Sequence, residues 1–324
     1  MSAIVIHSTP AFTLDPTLGG PPVATLIAQG VDAQVVLAGV AQASVWWRAA
    51  PPLDGETLGV IGHFRASPSA DAAAVAEVLA RACVELRNAG CTRAVGPLDG
   101  NTWRSYRFVT WRGDRPRFAL EPDQPDVWPG WWVAAGFAAY EEYFSALVDD
   151  LAAHDARLDG AWARLQAAGI SIRAVRRDDF EAELAHIFAV SEIAFRDNVL
   201  YTPLPRMDFA AMYAGAQQIV RPELCLVAER AGAPVGFVFA IPDFEQARRG
   251  AAVDTLVVKT LAVLPGREFA GLGKILLERC QQAGHALGFR AAIHALMHAG
   301  NTSRNLGGRA REIRRYTLFS RKLG

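Results

Sequence analysis

The sequence lacks an excess of charge of either sign, because 33 Lys and Arg residues balance 33 Asp and Glu residues. We therefore expect neither a nucleic-acid partner nor an anionic membrane surface. No run of 18 uninterrupted apolar residues occurs, which argues against a membrane-spanning helix. The opening segment MSAIVIHSTP has no basic region followed by a long apolar run, so it does not resemble a signal peptide, and we expect a cytoplasmic protein.

Cysteine is also scarce, since only four are present in 324 residues and none forms a CxxC pair. A disulfide framework and a zinc or redox motif are both excluded on this pattern, and we expect four buried thiols. His294 and His298 have the spacing of helical zinc ligands, but the segment HALMH lacks the usual Glu and is predicted to be a strand. We therefore expect no metal site.

Hydrophobic residues make up 51% of the chain, which is enough for a large buried core. From residue 170 onward the periodicities predict the order β-α-α-β-β-β-α-β-α-β, an α/β fold with a mixed sheet. The N-terminal half echoes part of this order, with strands before and after a strongly periodic helix at 70–90. We therefore predict two similar lobes, 1–160 and 170–324, joined by a helical connector within 149–169.

The stretch 259–280, KTLAVLPGREFAGLGKILLERC, begins as an apolar strand, turns through a glycine loop and continues into an amphipathic helix. A glycine loop between a strand and a helix N-terminus favours phosphate binding. Gly266 and Gly271 have P-loop spacing, but Leu272 stands where that motif requires lysine. The dinucleotide fingerprint fails as well, because its third glycine would fall on Leu276. Neither of these phosphate motifs is therefore present.

The stretch LAVLPGREFAGLGKILL instead resembles the acyl-coenzyme A loop of the GNAT acetyltransferases, Gln/Arg-x-x-Gly-x-Gly/Ala. Consecutive backbone N–H groups at a helix N-terminus can cradle a pyrophosphate, and glycines let that backbone come close. Glu268 departs from the pattern, so we expect it to turn away and Arg267 to serve instead. The resemblance implies these cofactor-binding residues: Val263, Arg267, Phe269, Ala270, Gly271, Leu272, Gly273, Lys274, Asn301 and Arg304.

Other segments are similar to a bacterial subgroup of that family with two GNAT-like lobes in tandem: AIPD, RDNVLYTP and GPLDGNTWRSYRF. The N-terminal lobe is then a degenerate copy, because its counterpart of the glycine loop, FRASPSADAAAV, contains no glycine. Asp71 would cap that helix and place a negative charge where a phosphate would otherwise bind. We therefore expect one active site in each chain, within the C-terminal lobe.

The chemistry that the resemblance implies is acyl transfer to an amine, with the backbone N–H of Leu261 or Ala262 stabilising the oxyanion. The family's usual Glu base and Tyr acid are missing, since Lys259 and Thr260 lie near the first position and Gly308 occupies the second. The candidates to replace them are Asp243 and Tyr316, with Tyr201 and Glu192 as further possibilities. We expect the acceptor pocket to contain Asn101, Trp103, Tyr106, Asn198 and Tyr201.

The resulting expectation is an N-acyltransferase that uses acetyl-CoA, or another short acyl-CoA, and a small amine or amino-acid-like acceptor by direct attack. No metal takes part, and the protein is a monomer or a homodimer. Two alternatives stay open at this point. One is a catalytically inactive CoA-binding sensor or scaffold, and the other is a tandem-lobe transferase with a different acyl donor.

Overall fold

A computed structural model describes residues 3–9, 11–300 and 310–324. The strands of this part of the chain are β1 Val5–Ser8, β2 Ala33–Leu37, β3 Ala41–Trp46, β4 Leu58–Ala66, β5 Arg93–Gly96, β6 Phe108–Trp111, β7 Ala138–Val148, β8 Ile170–Ala174, β9 Cys225–Arg230, β10 Ala233–Pro242, β11 Thr255–Val263, β12 Ala291–His298 and β13 Arg311–Lys322. The helices are α1 Val23–Ala28, α2 Ala72–Asn88, α3 Val127–Ala134, α4 Arg157–Ala167, α5 Phe180–Ala194, α6 Arg206–Tyr213, α7 Phe244–Arg248 and α8 Leu272–Ala286. None of these helices is long and apolar enough to cross a membrane.

One continuous mixed sheet joins the two lobes, in the order β1-β2-β3-β4-β5-β13-β7-β12-β11-β10-β9-β8, with β6 pairing on β13. Each lobe contains one parallel pair, β4 with β5 in the first and β11 with β12 in the second. The mixed α/β sheet and the two-lobe layout predicted from the sequence are therefore confirmed.

The two lobes exchange strands at their junction. The last strand of the chain, β13, pairs with β5 of the N-terminal lobe, while β7 pairs with β12 of the C-terminal lobe. β13 and β7 also pair with each other over most of their length. The lobe bounds of 1–160 and 170–324 stay a prediction, and the sheet itself crosses the boundary between them.

The long helices are stabilised because each buries an apolar face against the sheet. In α2, Val75, Val78, Leu79, Ala82, Cys83 and Leu86 are all buried, as the 3.6-residue period predicts. The Asp71 side chain caps this helix by accepting a hydrogen bond of 2.8 Å from the Ala74 N–H. The predicted Asp71 cap is confirmed, and its carboxylate places negative charge at this helix start.

Three local elements were missed or only partly predicted. The second half of the segment EPDQPDVWPGWW forms α3, in which Trp128 and Trp132 are buried against the N-terminal core. β7 was not predicted at all, because its exposed first half and buried second half show no single period. The connector is helical only over α4, the latter half of the expected range.

Candidate active site

β11 and β12 separate at the middle of the sheet and leave a cleft between them. They pair in parallel only from Thr255 with Ala291 to Val258 with His294. Beyond that point β11 continues along β10 as far as Val263, whereas β12 stays with β7. The β12-facing edge of the last five residues of β11 is therefore unpaired within the described sheet and available to a ligand.

A β-bulge lies at the point of separation. Phe239 of β10 pairs with Thr260, but the next residue of β10, Ala240, pairs with Val258, so Lys259 is the extra residue of β11. A bulge interrupts the pairing and re-aims the extra side chain, and bulges are common beside active sites. The backbone thus turns Lys259 into the cleft, where its side chain is one of the lining groups.

The cleft opens into a cavity of about 540 Å³. Its walls come from α5, α6, β11 and β12, and from the loop 102–107 of the N-terminal lobe together with Tyr143 of β7. Aromatic and aliphatic side chains provide most of the lining. Because both lobes contribute walls, the cavity exists only in the assembled chain.

The glycine loop leads into α8 beside the mouth of this cleft. Gly271 is the N-cap of α8 with a φ of 91°, a left-handed conformation that L side chains rarely adopt. The first α8 hydrogen bond from this cap runs from the Ile275 N–H to the Gly271 carbonyl. The N–H groups of residues 272–274 precede it and are the open donors of a helix N-terminus, which attracts anions.

Gly273 leaves a space that no part of the described chain fills. A Cβ built at this position would lie 3.7 Å from Val263 Cγ2 and 3.9 Å from Leu261 Cδ2, which are ordinary contact distances. The fold itself therefore does not require glycine at 273. The missing side chain instead keeps the helix start open toward the end of β11, as a ligand that runs from the cleft to the helix would require.

The loop is anchored by its side chains, so that it presents mainly backbone to a ligand. Phe269 and Leu272 are 6% and 0% exposed in the C-terminal core. The Arg164 guanidinium of α4 donates to the Ala270 carbonyl, and the Gly271 Cα lies beside Ala161. The connector helix thus holds the outer side of the loop.

Glu268 turns back on the loop rather than toward α8. A Cβ built on Gly266 would lie 2.5 Å from Glu268 Oε2, so the carboxylate covers the Gly266 backbone. Arg267 and Lys274 are exposed, and no ion pair joins either of them to Glu268 in the described part of the chain. Glu268 therefore turns away from the start of α8, as expected, but it does so by folding back over the loop.

The inner end of the cleft is rich in cationic and donor groups. Arg107, 6% exposed, stacks its guanidinium on the rings of Tyr106 and Tyr143 at 4.0 and 4.1 Å from their centroids. Burial, together with the charge of Arg107, lowers the pKa of Lys259 to about 8. Burial also lowers the pKa of His294 to about 4, so this ring is neutral at physiological pH.

Four of the five residues predicted for the acceptor pocket do line this cavity, and the structure brings them together from both lobes: Trp103, Tyr106, Asn198 and Tyr201. The Trp103 indole donates to the Thr202 carbonyl at 2.8 Å, which ties the N-terminal loop to the segment after α5. Asn101 is not among the lining residues, and its side chain accepts from the Trp103 N–H at 3.1 Å. It shapes the loop that presents Trp103.

Two residues predicted to be catalytic lie away from the cavity. Asp243 is 3% exposed, caps α7, and accepts hydrogen bonds from the Ala119 and Glu245 N–H groups. Burial raises its pKa. Its position after Pro242 places it at the opposite end of β10 from the stretch that faces the glycine loop, so we correct that interpretation to a structural one.

Tyr316 is completely buried on β13, where its hydroxyl donates to Glu121 at 2.7 Å. Ser145 contacts the same hydroxyl at 3.0 Å, and the Arg314 guanidinium pairs with Glu121 at 2.6 Å. This network holds the junction of the exchanged strands, and Tyr316 itself is not among the residues that line the cavity. We therefore withdraw Tyr316 as a candidate acid.

The backbone positions predicted for the oxyanion and the pantetheine do lie at the cleft. Leu261 lines the cavity, Ala262 packs against the cluster beneath α5 and α6, and Val263 ends β11 beside Gly273. Asn301 and Arg304, predicted to contact the cofactor, lie outside the described residues.

Three groups at the site were missed or undervalued from the sequence, namely Arg107, Tyr143 and Lys259. Lys259 had a usable signal, since it is a single cation inside the apolar strand TLVVKTLAV. Arg107 and Tyr143 had none, because they belong to the other lobe and only the strand exchange brings them to the cleft.

Comparison with known proteins gives a family for this site. Residues 187–306 match the acetyltransferase (GNAT) family. This segment of the chain is a GNAT domain. The splayed parallel strands and the glycine loop of this GNAT domain fall within the matched range, and acyl transfer is the general activity of the family. No curated protein sequence matches the chain.

Solved structures share the GNAT fold at low identity. A GCN5-related N-acetyltransferase from Sphaerobacter thermophilus matches at 12% identity and a TM-score of 0.50, over 93% of this chain and 86% of that one. Eis1 from Mycobacterium abscessus matches at 12% identity and a TM-score of 0.50, over 99% and 74%. The glucosamine N-acetyltransferase region of a fungal multi-domain GH3 β-N-acetylglucosaminidase reaches a TM-score of 0.56 at 12% identity, where this chain covers 38% of the other. At these identities the similarity shows a common fold for the two lobes and does not show a common activity or substrate.

Proposed function

We propose that this protein is an N-acyltransferase that transfers an acetyl or other short acyl group from acyl-CoA to the amine of a small molecule. The single observation that carries the proposal is the continuous path from the open N-terminus of α8, past Gly273, along the unpaired edge of β11 into the cavity. A pyrophosphate, a pantetheine arm and a thioester need these three environments in this order.

The residues of the path fit acyl-CoA. The N–H groups of residues 272–274 would bind the pyrophosphate, and Arg267 and Lys274 add exposed positive charge beside it. The unpaired edge of β11 up to Val263 would pair with the amides of the pantetheine. The backbone near Leu261 would then stabilise the oxyanion as the amine attacks the thioester carbon.

Proton transfer does not require a carboxylate in this cleft. The nearby positive charges of Arg107 and Lys259 disfavour a bound ammonium, so they lower the pKa of the acceptor amine and favour its reactive neutral form. When the tetrahedral intermediate collapses, the C–S bond breaks and the nitrogen loses its proton to solvent. The departing thiolate takes up a proton and leaves as the free thiol of CoA.

The test is amine-dependent release of the CoA thiol from acetyl-CoA, with mass analysis of the product for one added acetyl group. We expect release by the wild type with at least one member of a panel of small amines. Gly273→Asp should abolish it, because the added carboxylate occupies the helix start and repels the pyrophosphate. Thiol release by Gly273→Asp at the wild-type rate would contradict the assignment of the site.

A second candidate is a CoA-binding sensor without catalysis. It is favoured by one observation: among the described residues that line the cavity, the only carboxylate is Asp197, which is exposed. A sensor would bind CoA and lose that binding in Gly273→Asp, yet show no acylated product with any amine of the panel.

A further inference from the structure

Among the residues that the structure describes, the inner cleft combines positive charges that have no ion-pair partner with little negative charge. Arg107 and Lys259 form no ion pair with any described residue. The only carboxylate in the described lining of the cavity is Asp197, which is exposed. Glu141, outside that lining, is hydrogen-bonded to His298 at 2.7 Å.

Arg107 is buried with much of its hydrogen-bonding capacity unused. Its Nε–H is buried without a partner, and the only described hydrogen bond of its side chain is a long one of 3.5 Å from Nη1 to the Leu296 carbonyl. A buried guanidinium without an anionic partner is costly, and the Tyr106 and Tyr143 rings offset only part of that cost. Guanidinium groups bind planar carboxylates with two parallel hydrogen bonds.

Lys259 and His294 add two further donors. The Lys259 side chain forms no hydrogen bond with a described residue, and desolvation of this half-buried cation, with the charge of Arg107, lowers its pKa. With the side-chain amide of Gln281 as assigned, its Nε2 donates to His294 Nε2 at 2.8 Å, so the neutral ring carries its proton on Nδ1. His294 Nδ1 is buried and has no partner.

We propose that this cleft selects acceptors that carry a carboxylate, which Arg107, Lys259 and His294 bind beside an apolar body held by the aromatic walls. The inference deepens the proposed function, on which it rests, by naming the class of acceptor. Lys259 precedes Leu261 by two residues, so their Cα atoms lie roughly 7 Å apart along the strand and both residues line the same cavity. Amino acids with an apolar side chain have this combination of groups.

The first test measures binding and needs no acyl transfer. We would titrate the CoA-loaded protein with 3-phenylpropionate and with its uncharged amide in a calorimeter. The wild type should bind the acid on the order of 10–100-fold more tightly, the range for one or two charged hydrogen bonds. Arg107→Met and Lys259→Met should each lose most of that preference.

Arg104→Met is the matched control, since Arg104 belongs to the same loop, donates to the Asp99 carbonyl and is not part of the cavity lining. This variant should keep the wild-type preference. Arg107→Lys should keep part of it, because the charge remains but the planar pair of donors is lost.

The second test compares the acylation of L-phenylalanine, L-phenylalaninamide and 2-phenylethylamine. We expect kcat/KM to be highest for the amino acid, although the amide has the less basic and therefore more readily deprotonated amine. Equal acylation of all three, or equal binding of acid and amide, would overturn the carboxylate proposal and leave the transferase intact. Failure of CoA itself to bind would instead overturn the proposed function.

Discussion

Gly273→Ala and Gly273→Asp together separate what the fold requires from what the ligand requires. The added Cβ meets only Val263 at 3.7 Å and Leu261 at 3.9 Å, so nothing in the chain has to move. Replacing a helical glycine by alanine reduces the freedom of the unfolded chain and stabilises a helix by about 0.5–1 kcal/mol in its interior, with less expected in this first turn. The alanine variant should therefore be as stable as the wild type or more stable.

The acyl-coenzyme A loop pattern accepts alanine as well as glycine at this position, so Gly273→Ala should keep most of its CoA affinity. Gly273→Asp adds a carboxylate beside the pyrophosphate, and we expect it to bind CoA at least ~10-fold more weakly, a change of about 1.4 kcal/mol. Stability would be measured by urea denaturation without ligand, and affinity by calorimetric titration with CoA. A damaged protein would lose stability in both variants, whereas we expect only the charged substitution to lose affinity.

Gly160→Ala is the matched control for this experiment. Gly160 is also helical, in α4, and a Cβ built there meets nothing within 4 Å. It should show a similar gain in stability with unchanged CoA affinity, and Gly160→Asp should likewise keep that affinity. If Gly273→Asp bound CoA as tightly as Gly160→Asp does, the route assigned to the ligand would be refuted.

Further outcomes follow from the buried and loop residues. Tyr316→Phe should lose about 1–2 kcal/mol of stability with its buried hydrogen bonds but keep kcat within a few-fold, and a loss of kcat without a loss of stability would return this residue to the mechanism. Because the pKa of Lys259 is about 8 when folded against 10.5 otherwise, its protonation costs stability below pH 8 and that cost fades as the pH rises toward 10.5. Lys259→Met should accordingly be more stable than the wild type by on the order of 1–3 kcal/mol at pH 7. The difference in stability should be smaller near pH 10. In the same denaturation series the control Lys322→Met, which replaces an exposed lysine, should have nearly the stability of the wild type. Glu268→Gln should bind CoA as well as the wild type or better, most visibly at low salt in a titration, and a large loss would mean that the carboxylate holds the loop.

Local patterns were sufficient for most of the C-terminal lobe. β11 is the strand predicted before the glycine loop, and α8 begins at Leu272 after the predicted glycine turn. Both elements have a strong local signal. A long apolar run predicts a strand, two glycines predict a turn, and an amphipathic period predicts a helix. The same holds for the Asp71 cap of α2, whose residue type and position were sufficient.

Long-range features could not be predicted in this way. The exchange of β7 and β13 between lobes depends on pairing partners more than a hundred residues apart, and no local period records it. Arg107 reaches the cleft only through that exchange. The assignment of Asp243 failed for a related reason, because its place after a strand was predicted correctly but the end of the sheet at which that strand finishes was not.

Hydrogen exchange with and without CoA tests the central claim most directly, because it locates the ligand on the backbone of the intact chain. We expect one equivalent of CoA for each chain, with slower exchange in peptides that cover residues 259–276. Peptides that cover residues 64–75, the corresponding helix start of the N-terminal lobe, should be unchanged. Protection at 64–75, or a second equivalent of bound CoA, would contradict a single acyl-CoA site at the separation of β11 and β12.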